Sequence, residues 1–316
     1  MQKTDHQLPS FSGYINKVFH FRKALSTLRD RRQNPDISPK TIFLSLFYAF
    51  VFRFTSFRQL EADLAQPHLQ RWAETPRAFG DDVLRYSLAS FELAPLEQMV
   101  VEIFGWDLVI TLKQENRTLY EDAHGLFRNR APDDQLTETQ ANNVVEAQLW
   151  QAEDLPFTEE HTQPMRVVRS EERKTECQYR RGKPVSETKY EQWVWITTQE
   201  AKTFSSRTVR QLGHDRWKLE NNGWCDLTKH WAFKHGFLHA CKHRPQRRDP
   251  QGKLQPLPNC GLMAVTWILC IAFLLCSAFA RLHSKLFRRN RLSVLEISRQ
   301  LYRSLWSLQP PIRAPD

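Results

Sequence analysis

The sequence is poor in residues that several kinds of protein depend on. Six cysteines in 316 residues are too few to staple a secreted scaffold; they fit reduced thiols and a cytoplasmic location. Ten glycines exclude a collagen-like or glycine-rich chain. Neither GxxxxGK[ST] nor GxGxxG occurs, so the usual phosphate-cradling loops are missing. CxxC and HExxH are missing too, which removes the common zinc signatures. No Ser-His-Asp or Cys-His string stands out for nucleophilic catalysis. Met1 to Ser10 is polar and lacks the apolar segment of a secretory signal.

Acid is scarcer than base. There are 45 Lys+Arg against 35 Asp+Glu, a formal charge of +10, and a pI near 9.4. Such a balance favours an anionic partner, nucleic acid first and an anionic membrane second. What is plentiful is apolar and aromatic: 41% and 12% of the chain, with ten tryptophans, enough for a large core. One stretch, Cys260 to Ala280, carries no charge and is long enough to cross a bilayer. Both its flanks are basic, whereas a single span is normally biased to one side. Gly261, Thr266, three cysteines and Ser277 make it only moderately apolar. It reads as a buried helix, with a membrane span as the rival.

Residues 11–100 read as helical. Phe19, Leu25 and Leu28 fit a first short helix ending in the basic run Arg29, Arg31 and Arg32. Ser38 followed by Pro39 is an N-cap with proline at the first helical position, opening an apolar helix from Thr41 that continues to Leu64. Gln66-Pro67 ends it. After a break at Pro76 to Gly80, Asp81 or Asp82 caps a further helix to Phe104. From Gly105 the pattern turns β-prone: Trp106–Leu112, Val144–Trp150, Met165–Arg169 and Trp193–Thr198. The polar stretches 128–142 and 170–190 read as loops or solvated hairpin turns. Helix returns over 205–222, 260–280 and Ser293 to Leu308, the last with the stripe Val294, Ile297, Leu301 and Leu305.

The segment most informative about chemistry is Leu212 to His235, LGHDRWKLENNGWCDLTKHWAFKH. Arg216 and Glu220 are four apart and share a helical face; spacing alone makes them an ordinary ion pair. The Arg-Trp-x-Leu-Glu-Asn string, with the Gly-Trp, Asp-Leu-Thr and Lys-His-Trp that follow, resembles the region around the last acidic residue of DDE transposases of the insertion-sequence-four group. LKQENRTLYEDAHGLF at 112–127, MRVVR at 165–169 and WVWITT at 193–198 are similar to other segments of that family. The resemblance covers about residue 38 to the C-terminal helix. It implies an RNase H-like core, Mg²⁺ held by carboxylates, DNA element ends as partner, and DNA cleavage and strand transfer. It makes Glu220 a catalytic metal ligand and Arg216 its supporting or phosphate-contacting partner. Two ions about 3.5–4 Å apart would activate the nucleophile and stabilise the leaving oxygen, which needs several carboxylates.

The match departs from the family in three places. The group's Tyr three before the Arg is Gly213 here, and its Lys seven after the Glu is Leu227, with Lys229 nearby. More seriously, the helix ending near Ile103 runs almost directly into Gly105-Trp106-Asp107, leaving no room for the strands that carry the first two catalytic Asp. Asp107 is the only acid in that run, and Asp122 reads as a solvated side chain. One carboxylate cannot hold two ions. His235, His239 and His243, with Cys241 among them, could be drawn as a zinc site, but Lys234, Lys242 and Arg244 disfavour a cation there.

The expectation is therefore a mixed α/β protein: an all-helical, DNA-binding region over 1–104, then an incomplete RNase H-like sheet flanked by helices over 105–316. Arg31, Arg32, Arg247, Arg248, Arg288 and Arg289 are the candidate DNA contacts. The function expected is that of a transposase-like protein lacking its own catalytic centre, pairing with itself or with an intact sister transposase. The alternatives are a non-catalytic or inhibitory DNA-binding remnant and a single-span membrane-associated protein.

Overall fold

Pro39 begins a helix because Ser38 supplies the missing acceptor: its hydroxyl takes the Thr41 N–H at 3.1 Å. A computed structural model describes residues 7–104, 109–112, 117–140, 143–156, 164–180, 183–235, 237, 246–248, 253–256, 258–283 and 292–307. It divides the chain into a helical unit, residues 1–105 with 223–316, and a sheet unit, residues 106–222. The division falls after Gly105. The chain-closing helices, expected to belong with the sheet, group instead with the N-terminal helices, because their apolar faces complete that core.

The helical unit contains α1 (Gln7–Phe19), α2 (Phe21–Leu25), α3 (Pro39–Val51), α4 (Phe57–Leu64), α5 (Pro67–Ala73), α6 (Asp81–Ala89) and α7 (Leu93–Phe104). After the sheet unit come α10 (Trp224–His230), the short hairpin β6 (Gln246–Arg248) and β7 (Leu254–Pro256), α11 (Gly261–Ala278) with a π-helical turn Phe279–His283, and α12 (Val294–Ser307). The helix expected to run from Thr41 to Leu64 is two helices. Arg53 sits at φ 66° in the turn between them, and Ser56 caps the second. Pro67 opens α5 instead of only ending its predecessor. Gly80, not an aspartate, is the N-cap of α6; Asp81 and Asp82 lie in its first turn, where the helix dipole favours them.

The uncharged helix α11 is the one described helix long and apolar enough to cross a membrane. It packs chiefly against α3, and also against α6 and α7. Ala264, Val265, Ile268, Leu269, Ile271, Ala272, Leu275 and Cys276 are buried, while Leu262, Met263 and Leu274 face outward. Such a helix is apolar nearly all round because neighbours cover most of it. α3 is its counterpart, with Phe43, Phe47 and Tyr48 in an aromatic cluster that includes Phe11 and Phe21. α12 closes the core through Ile297, Leu301 and Leu305, and its Ser304 hydroxyl accepts the Leu8 N–H at 3.1 Å.

The sheet unit is a five-stranded antiparallel sheet in the order β1-β5-β4-β3-β2. Its strands are β1 (Val109–Thr111), β2 (Asp134–Gln140), β3 (Asn143–Pro156), β4 (Pro164–Arg180) and β5 (Lys183–Thr197). The protein is thus of mixed α/β composition, with helices and sheet segregated along the chain. β4 and β5 pair continuously from Arg166↔Thr197 to Arg180↔Lys183, so the polar stretches expected as loops are largely strand. Their outer halves have polar residues on both faces, and the period-two signal used to recognise a strand vanishes there. Helix α8 (Arg117–Phe127) covers one face through Leu119, Ala123 and Phe127, which meet Trp150, Val167, Val194 and Ile196. Helix α9 (Ser206–Lys218) packs on β1, β3, β4 and β5, with Val209 against Val168 and Trp195.

Candidate functional site

The segment Leu212 to His235 begins on α9, and four side chains bolt that helix to the sheet. Arg166 of β4 reaches its first turn, donating to Ser206 Oγ at 2.9 Å and to the Phe204 carbonyl and Gln151 Oε1. Arg207 grips Asp134 with two bonds of 2.6 Å. Arg210 is a bidentate donor to Glu172, at 2.9 and 3.0 Å, and its third nitrogen reaches Glu138 at 3.0 Å. His214 pairs with the same Glu172 oxygen at 2.8 Å, and Ser170 donates to it at 2.8 Å. Burial opposes ionisation of Glu172, but hydrogen bonds from His214 and Arg210 outweigh it and hold its carboxyl down at about 2.

Gly213 has a structural reason of its own. A Cβ there would lie 2.2 Å from Trp195 Nε1, which no real atom pair tolerates. Trp195 is fully buried, edge-on to His214 at 5.2 Å between ring centres, and its N–H finds no acceptor among the described residues. The space a tyrosine would fill is occupied by this indole.

Beyond Lys218 the helix loosens into a π-helical turn, Leu219–Gly223, that contains Glu220. Widened turns of this kind are often found at functional positions. Arg216 is exposed, one turn earlier. The Glu220 side chain lies outside the described residues, as do Asp107, His239, Cys241, His243, Arg288 and Arg289 and the side chains of Arg247 and Arg248. Asp122 is exposed on α8, and His235 is exposed beside Phe237.

The carboxylates on and beside α9 that the structure describes are engaged in internal contacts. Among the described residues no group of three or more His, Cys, Asp or Glu is placed to hold a metal ion. On α9, Asp215 accepts from Gln211 at 3.1 Å, and Glu172 is committed to Arg210, His214 and Ser170.

The candidate arginines separate as well. Arg32 is used internally: it pairs with Asp30 and donates to Ser87 Oγ at 2.7 Å and to the Ile37 carbonyl at 2.8 Å. Its assignment as a DNA contact is corrected to a brace of the loop before α3. Arg31 is half-buried and donates to the Pro258 carbonyl at 3.4 Å. Sequence reasoning missed Arg53, which stacks on Trp231 at 3.2 Å and donates to Ser298 Oγ at 2.8 Å and to the His230 carbonyl at 2.9 Å. Burial lowers its pKa to about 9. It also missed Arg210, Glu172 and His214, for which no local motif exists; only β-strand register brings them together.

Charge is distributed as unevenly as apolarity. The helical unit has 28 Lys+Arg against 15 Asp+Glu, a net +13; the sheet unit has 17 against 20, a net −3. Between residues 227 and 295 the only acid is Asp249, against 12 Lys+Arg. On the sheet, beyond α8, an open groove of about 720 Å³ is lined by Glu146, Glu171, Arg173, Tyr190 and several glutamines, a surface with little to offer a phosphate.

Comparison with protein families, curated proteins and solved structures found no match.

Proposed function

We propose that this chain is a transposase-derived DNA-binding protein that holds duplex DNA through its helical unit and carries out little or no strand transfer. The charge partition carries this reading: the whole positive excess lies in the helical unit, while the sheet unit is slightly acidic. Neutralised phosphates release counterions, so a strongly basic unit favours DNA without needing sequence readout. The resemblance at Leu212 to His235 supports a transposase origin. On that reading the sheet with α9 behind it is what remains of an RNase H-like catalytic domain, and Arg216 is the sheet unit's phosphate contact. Engagement of Glu172 by Arg210 and His214 supports the loss of metal-dependent chemistry.

The test is a pair of assays on the purified full chain. Duplex DNA binding is expected to weaken steeply as salt rises, and nicking of supercoiled DNA with Mg²⁺ or Mn²⁺ is expected to stay at background. Nicking abolished by Glu220→Ala would overturn the claim of inactivity. Binding indifferent to salt would overturn the electrostatic account.

A further inference from the structure

Strand β5 is covered on its outer side for only a short part of its length. It pairs with β4 from Lys183 to Thr197, but with β1 only from Trp195 to Thr197. Leu112 N–H donates to the Val194 carbonyl at 2.8 Å and closes that contact. Among the described residues, no strand pairs with the outer side of 183–193. Residues 185–192 are all exposed. In an antiparallel strand the peptide groups of successive residues turn to alternate sides. Val194 turns outward to Leu112, so Gln192, Tyr190, Thr188 and Ser186 turn outward as well. Such an edge is a template for a further strand.

The charges along this edge say which strand fits it. In the register with β4, Glu187 lies opposite Glu176 and Lys189 opposite Lys174. Like charges directly opposite destabilise a sheet pair. Here they are offset along each strand, by Lys174 with Glu176 at 2.7 Å and by Lys189 with Glu187 at 3.8 Å. A strand that set a lysine against Glu187 and a glutamate against Lys189 would relieve both rows. β5 itself, read antiparallel about Thr188, supplies that pattern: Glu187 meets Lys189 of the second copy, twice over. Moving the centre by one residue sets Glu187, or Lys189, against its own copy. Moving it two residues toward Tyr190 brings Ser186 of the second copy against Val194, a place Leu112 already takes. Two residues the other way sets Lys189 against Lys183.

We infer that the outer edge of β5 is a dimerisation surface: a second copy of this chain adds its β5 antiparallel to the first, about a twofold axis at Thr188, and the two sheets become one. Ser186, Thr188 and Tyr190 exchange backbone hydrogen bonds across the axis. Glu187 and Lys189 form the flanking ion pairs, at positions where side chains approach most closely. The contact is isologous and closes on itself. It is small for a protein interface, so its affinity is on the order of 10 μM. It is independent of the proposed DNA binding.

The test is sedimentation velocity on the nucleic-acid-free full chain, from about 1 to 100 μM. The natural chain is expected to pass from monomer to dimer over this range. Ser186→Pro removes an outward N–H and should leave a monomer throughout, whereas Ser186→Ala should dimerise as the natural chain does. Lys189→Glu or Glu187→Lys alone should weaken the dimer by about tenfold or more, because each sets like charges across the axis. Each also relieves a like-charge pair with β4, so a weakened dimer is not the mark of a weakened sheet. The two changes together should restore the dimer. A natural chain that stays monomeric at every concentration would overturn the inference and leave the edge to another kind of partner. So would a dimer indifferent to Ser186→Pro and to the single charge changes, or one that the paired change fails to restore.

Discussion

Leu275 of α11 and Glu172 of β4 are both buried, yet their surroundings have nothing in common. Leu275 sits among apolar side chains of the helical unit; Glu172 is held by an arginine, a histidine and a serine. The contrast extends to each unit as a whole. Among the described residues, the fully buried polar residues of the helical unit are all Ser and Thr, with Arg53 and the Arg32–Asp30 pair approaching the interior. Those of the sheet unit include Arg166, Arg169, Glu172 and Arg210. Among the described residues, the helical unit buries apolar surface and keeps most of its charged side chains exposed. The sheet unit places several of its charges between sheet and helix, where they fix register and hold α9. Charge in the described part of the helical unit is mostly at the surface, whereas in the sheet unit several charges are part of the interior.

The largest expected effect is on the charged interior. Glu172→Ala leaves the Arg210 guanidinium buried with one of its two carboxylate partners gone, and should cost about 3–5 kcal/mol. Hydrogen exchange should place the loss in residues 106–222. Replacing Glu172 and Arg210 together by apolar residues of similar size should recover much of it; failure to recover would mean that the network does more than neutralise itself. On the other side of the comparison, Leu275→Ala should cost about 2–5 kcal/mol through the cavity it leaves, with urea midpoints nearly independent of salt.

Smaller effects sharpen the contrast. Gly213→Ala should destabilise by about 1–3 kcal/mol or more, because its methyl must displace the Trp195 indole. An altered Trp195 indole resonance would report it. Acid should also separate the units. The folded-state pKa of Glu172 is depressed, so its contribution is fully present above the unfolded carboxylate value of about 4.3. That contribution is lost as pH falls through the folded value of about 2. The Trp195 indole signal should shift within that window, ahead of α11 amide signals. Coincident loss of both would remove the distinction.

What the sequence disclosed follows the same divide. The Ser38-Pro39 cap, the α11 stretch and the α12 stripe are written in local pattern, because a helix states its buried face within a few turns. The strands of 128–142 and 170–190 were hidden, because polar residues on both faces erase alternation. The break at Arg53 was hidden because the residues that surround it, Trp231, His230 and Ser298, lie far along the chain. At the candidate site, Arg216 and Glu220 were legible as a motif. The commitment of Glu172 was not: it depends on the pairing of β3, β4 and β5 and on the angle at which α9 crosses them.

The claim that DNA is held by the helical unit is tested most directly by arginine footprinting. The full chain is treated with an arginine-selective dicarbonyl reagent, with and without duplex DNA, and modified sites are read by mass spectrometry. The account predicts protection at Arg22, Arg29, Arg247 and Arg248, while Arg128, Arg173 and Arg207 of the sheet unit react equally with and without DNA. Protection of the sheet-unit arginines, with those of the helical unit left reactive, would contradict it.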